Sequence, residues 1–114
     1  MTVVKMTDLI ENTVLVSRGA ASGVSDAIEH AFQNDPDTIE FDFSGIRVLA
    51  PSFIDQLFIV TERVRDSLGL SENATIVLRN CPPGMKDKLS AIGRAHDADV
   101  APREDGTWML SHFA

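Results

Sequence analysis

Cysteine occurs once in the 114 residues, at Cys81, so no disulfide can form within the chain and a zinc site built from several thiolates is excluded. A reducing cytoplasm is the expected compartment. Positive charge is also scarce: 10 Lys plus Arg stand against 17 Asp plus Glu, for a net charge of −7. A chain this acidic lacks the basic face that neutralises many phosphates, which argues against nucleic-acid binding and against attraction to anionic membranes. Long apolar runs are missing too. No uncharged stretch approaches the roughly 20 residues that cross a bilayer, and the opening MTVVKMTDLIENT has neither the basic start nor the apolar centre of a secretory signal. With no internal repeat, low-complexity tract or linker, the length suits a single domain over residues 1–114. Its 44% of hydrophobic residues are enough to bury a core.

What is present is an alternation of periods. Thr13 to Ser17 (TVLVS) reads as a β-branched strand ending in a Gly-containing turn. From Ala20 the apolar residues Ala20, Val24, Ala27, Ile28, Ala31 and Phe32 recur at three and four positions, predicting one helix that Asn34 and Pro36 stop. Ile39, Phe41 and Phe43 alternate with Glu40 and Asp42 as a strand, punctuated by Ser44-Gly45. Phe53, Leu57, Val60, Val64 and Leu68 predict a helix from about Ser52 to Leu68, with Gly69 placed to cap its end. Thr75 to Leu78 restores the strand signal. Pro82-Pro83 then starts a third helix through Met85, Leu89, Ile92 and Ala95.

The order β-α-β-α-β-α, with extended segments at Met1 to Lys5 and Trp108 to Leu110, predicts an α/β domain: a mainly parallel or mixed sheet with helices packed against it. Strands near 13–17, 39–43 and 75–79 are expected in one sheet. In the mixed version the N-terminal stretch folds back as a hairpin onto Thr13 to Ser17, and Trp108 to Leu110 forms an edge.

Chemistry-bearing residues are few. Ser52, just ahead of an amphipathic helix and three positions before Asp55, makes a near capping box, its hydroxyl accepting from a free backbone N–H. On the helix face away from the apolar stripe stand Ser52, Asp55, Gln56, Ile59, Glu62, Arg63 and Asp66. Ile59, with Phe58 at its flank, supplies an apolar centre to a charged rim, the make-up of a partner surface. Its candidate contacts are Asp55, Gln56, Phe58, Ile59 and Arg63. Arg18, Gly19 and Gly23, in the turn between the first strand and helix, are a candidate site for a phosphate- or nucleotide-type ligand. That turn lacks the Lys-Ser/Thr ending of a P-loop and the spacing of a dinucleotide fingerprint, and a plain glycine turn is the simpler reading. Arg18 is expected to pair with a carboxylate or a strand carbonyl. Cys81 precedes Pro82-Pro83 at a helix start, which favours thiolate, though no base accompanies it in sequence and a small buried residue accounts for it. His30, His96 and His112 are far apart, with no i, i+4 pair, and suggest no metal site. The carboxylates, including those of the Arg103-Glu104-Asp105-Gly106 turn, show no pair for acid/base work.

The segment Ile39 to Phe58, IEFDFSGIRVLAPSFIDQLF, resembles the STAS-like domains of the sulphate transporter and anti-sigma factor antagonist superfamily. Asp42-Phe43-Ser44-Gly45-Ile46 is similar to the strand-end motif of that superfamily, and Ser52 falls where its regulatory Ser or Thr stands. The antagonists carry Asp-Ser-Ser-Gly at that place, whereas this chain has Ala50-Pro51-Ser52-Phe53. The Ser-Phe-x-Asp-x-Leu-Phe pattern of Ser52, Phe53, Asp55, Leu57 and Phe58, with Val16-Ser17-Arg18 and Arg79-Asn80, resembles the STAS-like branch of unassigned function. Together these positions cover most of residues 13 to 96. The resemblance implies a non-enzymatic switch module; the single cysteine and the missing signal and ligand motifs add the expectation that it is cytoplasmic, without a cofactor or metal. It would bind another protein, such as an anti-sigma-type kinase, with Ser52 as its phosphorylation site. A constitutive adaptor with Ser52 as a helix cap is the blander alternative.

Overall fold

The computed structural model describes residues 2–11, 14–70, 74–96, 98–103 and 107–113. Its main sheet holds β1 (Thr2–Lys5), β3 (Thr38–Asp42), β5 (Ala74–Arg79), β6 (Asp99–Pro102) and β7 (Trp108–Phe113), in the spatial order β1-β3-β5-β7-β6. The first three are parallel, and β7 runs antiparallel to both β5 and β6. A separate parallel ribbon pairs β2 (Val14–Leu15) with β4 (Val48–Leu49). The helices are α1 (Met6–Leu9), α2 (Arg18–Ser22), α3 (Ser25–Asn34), α4 (Pro51–Ser67) and α5 (Lys86–Ala95). This is an α/β domain with a mixed sheet, as the alternation of periods predicts.

Register follows the period of two. Ile39, Ile76 and Leu110 stand in one row and Phe41, Leu78 and Trp108 in the next, all buried on the sheet face that carries the core. Glu40, Val77 and Met109 form a row on the opposite face, where Glu40 accepts from Arg79 Nη2 at 3.1 Å. α4 is the central helix and packs with α2, α3 and α5. Being flanked on both sides, it buries more than one stripe: Ile54, Phe58, Thr61 and Arg65 are enclosed along with Phe53, Leu57, Val60 and Val64. Each fully buried Phe contributes roughly 1.5–3 kcal/mol relative to exposure. Pro51 opens α4 at a position where its missing N–H costs nothing. Gly69 closes it with φ +72°, while Leu70 N–H reaches Arg65 O at 2.9 Å and Gly69 N–H reaches Asp66 O at 3.1 Å, the paired bonds of a Schellman ending. Arg65 ties α4 to the end of α3: it donates to Pro36 O at 2.6 Å and lies 4.9 Å over the Phe32 ring.

Four expectations are corrected. Of Thr13 to Ser17 only Val14–Leu15 is strand, Thr13 lies outside the described residues, and this strand is not in the main sheet. Its place beside β3 is taken by Thr2–Lys5, which pairs over four residues in parallel, so there is no hairpin with Thr13 to Ser17. A four-residue ladder satisfies more backbone than a two-residue one, and Leu15 reaches the core from the ribbon instead. The first helix is two helices, divided at Gly23: the Ser17 hydroxyl caps α2 by accepting from Ala20 N–H at 3.1 Å, and Gly23 ends it. Finally, Trp108 starts a longer, interior strand, and the edge is β6.

Candidate functional site

The Asp42-Phe43-Ser44-Gly45 motif is a strand-end turn. Asp42 Oδ1 accepts from Ser44 N–H, Ser44 Oγ–H and Asn80 Nδ2, each at 2.9 Å, and Gly45 takes φ +84°. Burial works against the Asp42 charge, but the donors from Asn80 and Ser44, with Lys5 nearby, outweigh it and hold the carboxyl below the usual range. The motif thus joins the ends of β3 and β5 and carries the chain into Ile46, which is buried, and then into β4.

From β4 the chain enters α4, whose N-terminus sits against β2 and α2. Ala50 N–H donates to Leu15 O at 2.8 Å, and Ser52 Oγ–H donates to Val16 O at 2.9 Å. Ser52 is therefore a latch between α4 and the end of the ribbon. It is not a capping acceptor; the N-cap of α4 is Ala50, with no side-chain cap. The expected capping box is absent because Pro51 starts the helix one residue earlier, placing Ser52 inside the first turn.

One turn on, Asp55 is the centre of a polar network. Its Oδ2 accepts from Arg18 Nη1 of α2 at 2.7 Å, and its Oδ1 meets His96 Nε2, at the C-cap of α5, at 2.8 Å. The other ring nitrogen, Nδ1, meets Glu62 Oε1 of α4. Gln56 accepts from Arg18 Nη1 and donates to Ser22 Oγ, both at 3.4 Å. The His96 ring stands edge-on to Phe58 at 5.5 Å, and its side chain is 9% exposed. An imidazole flanked by an acceptor at each nitrogen donates to both only when doubly protonated. Burial opposes that charge, yet the hydrogen bonds to Asp55 and Glu62 prevail and the His96 pKa lies above the ordinary imidazole value. Hydrogen bonds from Arg18, then from His96, hold the Asp55 carboxyl below its usual value. A guanidinium, an imidazole and two carboxylates thus tie α2, α4 and α5 together.

The sequence candidates fall into place unevenly. Arg18, Asp55 and Gln56 are brought together, and Arg18 finds the carboxylate expected of it. Ile59 is half-buried. Phe58 is 0% exposed, so it cannot flank a partner surface; the packing of α5 on that side of α4 turns it inward toward His96. Exposed Arg63 lies about 16 Å along the helix from Ser52, beside a groove of about 370 Å³ shared with Ser22, Ser25, Glu29 and Ser67. The Arg18 to Gly23 turn is a five-residue helix, not an open glycine loop: Gly23 has φ −70°, Ser17 already occupies the Ala20 N–H, and Arg18 is engaged by Asp55. Cys81 is half-buried, and burial pushes its thiol up to about 12, away from a reactive thiolate. Among the described residues no group of three His, Cys, Asp or Glu side chains is placed to hold a metal ion, and no helix is long and apolar enough to cross a membrane. Sequence reasoning missed His96. Asp55 and Glu62 were legible as polar positions on one helix face; that the end of α5 sets an imidazole between them is a tertiary fact.

Residues 21–63 match the family model of a STAS-like domain of unknown function (DUF4325). The resemblance carried by Ser52, Phe53, Asp55, Leu57 and Phe58 is borne out over that segment, which holds both carboxylates of the network but neither Arg18 nor His96. No curated protein and no solved structure matches the chain.

Proposed function

We propose, from a STAS-like domain over residues 21–63, that this chain is a non-enzymatic regulatory module of the cytoplasm that binds a partner protein, with Ser52 as the phosphorylation switch. Like the anti-sigma factor antagonists it resembles, it would meet a kinase of the anti-sigma type. The observation that carries the reading is the Ser52 hydroxyl donating to Val16 O at 2.9 Å. Esterification of Oγ removes the only proton that makes this bond, and it sets nearly two negative charges against a carbonyl oxygen, one turn from the Asp55 carboxylate. The latch between α4 and the ribbon then opens, while the helix N-terminus and Arg18 offer the phosphate new partners. The partner face consists of Ser52, Gln56, half-buried Ile59 and Arg63 along the outer side of α4.

The test is affinity capture from the native cell, with mass analysis of Ser52. Ser52→Asp is expected to change binding of the captured partner by tenfold or more. Ser52→Ala loses one hydrogen bond, about 1 kcal/mol of stability, and retains binding. Ile59→Asp places an unpaired charge on the face and abolishes the complex. Wild-type binding by both Ser52→Asp and Ile59→Asp would leave α4 without a partner role and return Ser52 to a purely structural latch.

A further inference from the structure

Asp55 serves two helices at once. Its Oδ2 holds Arg18 of α2 at 2.7 Å, and its Oδ1 holds His96 at the end of α5 at 2.8 Å. The partners differ in reach: the Arg18 side chain is 53% exposed, that of Asp55 30%, and that of His96 only 9%. An anion arriving from solvent therefore meets Arg18 first, and His96 feels it across Asp55. His96 in turn governs a joint of the fold. It is the C-cap of α5, where its own N–H reaches Ile92 O at 3.2 Å and the Ala98 N–H reaches Gly93 O at 2.9 Å. Its ring bonds to α4 thus fix the last turn of α5 and the lead into β6.

Asp55 and Glu62 of α4 face the imidazole, one at each ring nitrogen, with Arg18 of α2 behind Asp55. Sharing one carboxylate places Arg18 Nη1 and His96 Nε2 within about 8 Å, the Debye length at physiological salt, so their charges are not screened from each other. Both donors hold the Asp55 carboxyl below its usual value, Arg18 the more strongly. A guanidinium and a doubly protonated imidazole on the same carboxylate repel each other and divide its charge. Arg18 in place therefore makes the second ring proton harder to keep, and that proton loosens Arg18 from Asp55. By linkage the two effects are equal in size.

We infer that Arg18, Asp55 and His96 form a switch with its input at the surface and its output at α5: an anion that draws the Arg18 guanidinium off Asp55 leaves that carboxylate to His96, whose doubly protonated ring then clamps the end of α5 to α4. The geometry needs no modification of the chain. The reading of Ser52 as a phosphorylation site supplies one source of the anion, because Ser52 stands three residues before Asp55 on the same helix and its Oγ is bonded to Val16 O, two residues before Arg18. A free phosphate is the other source.

The full chain, labelled with carbon-13, is titrated with acid and base while the ring Cε1–H signal of His96 is followed, assigned by its loss in His96→Gln. Arg18→Gln is expected to raise the His96 midpoint by about half a pH unit or more, and Arg18→Lys, which keeps the charge, to leave it near wild type. The midpoint of His30, on α3, should not move. Above the wild-type midpoint, the Ala98 amide of Arg18→Gln should exchange severalfold more slowly. Phosphoserine placed at position 52 is the attached anion and inorganic phosphate, at millimolar concentration, the free one. Either should raise the midpoint in wild type and do so less in the Arg18→Gln background. A rise with free phosphate alone would keep the switch and leave Ser52 without a part in it. Arg18 is exposed, so Arg18→Gln should fold; the anion arms in wild type are the second probe if it does not. A midpoint that falls or stays in Arg18→Gln, unslowed exchange at Ala98, an anion effect equal in both backgrounds, or none from either anion would overturn the inference. The partner face of α4, tested by Ile59→Asp, would stand through any of these.

Discussion

His96 decides the acid–base behaviour of the α4 surface, because both of its ring nitrogens face carboxylates. Its folded pKa is raised, so its contribution to stability is fully present below the ordinary imidazole value of 6.5 and is lost as the pH rises through the folded value. Asp55 works in the opposite sense: its pKa is depressed, and its contribution is present above 3.8 and lost as the pH falls through the folded value. His96→Gln is expected to lower stability by on the order of 1–2 kcal/mol near pH 6, read from urea midpoints. The gap to wild type should narrow as the pH is raised past the folded value. A gap that is flat with pH, or widest in alkali, would mean that the ring packs against Phe58 and bears no charge on its carboxylates. The residues of this network were half legible. Asp55, Gln56 and Glu62 could be seen as polar positions facing outward, since helix period alone fixes a face, and Arg18, read as part of a turn, was expected to find a carboxylate or a carbonyl. His96 could not, because its neighbours are 34 and 41 residues away in sequence.

Elements, too, divide by what local sequence can determine. The body of α4, its Gly69 ending and the alternation of β3 follow from spacing and backbone chemistry, and they stand where the sequence puts them. The pairing of strands does not: the segments Met1 to Lys5 and Thr13 to Ser17 are both short and rich in β-branched residues, and only the competition for the edge of β3 assigns one to the sheet and the other to the ribbon. Phe58 was misread for a related reason, since a helix flanked by neighbours on both sides buries residues outside its main stripe. α5 offers a test of such packing at Gly93. A Cβ there would meet Val100 Cγ2 of β6 at 2.2 Å. Ala improves helix propensity by roughly 1 kcal/mol over Gly, yet overpacking costs about 1–3 kcal/mol, and a β-branched Val in a strand has little freedom to withdraw. Gly93→Ala should therefore lower the melting temperature. In a Val100→Ala background the same substitution should become neutral or stabilising. Equal destabilisation in both backgrounds would show that α5 and β6 are not in this register.

At the scale of the whole molecule, protection against hydrogen exchange should fall from the centre outward. β3 and β5 are bonded to strands on both sides, and α4 is enclosed by three helices, so their amides should open only on global unfolding. β1 and β6 each have one bonded edge, and their protection should be lower. The ribbon is the extreme case: two residue pairs outside the main sheet, fixed by Leu15, Leu49, the Ala50 N–H on Leu15 O and the Ser52 latch. Its slow amides should therefore exchange by local opening, at a free energy well below that of α4, and Ser52→Ala should speed them while leaving β3 and β5 unchanged. This ordering matters for function because a segment that opens locally can be biased by one bond, whereas a segment tied to the global core cannot. Native-state exchange read by mass spectrometry or NMR would check it. If the ribbon amides exchange as slowly as those of β5, or if Ser52→Ala accelerates the whole protein uniformly, the latch is part of the core and has no separate motion for a phosphate to control.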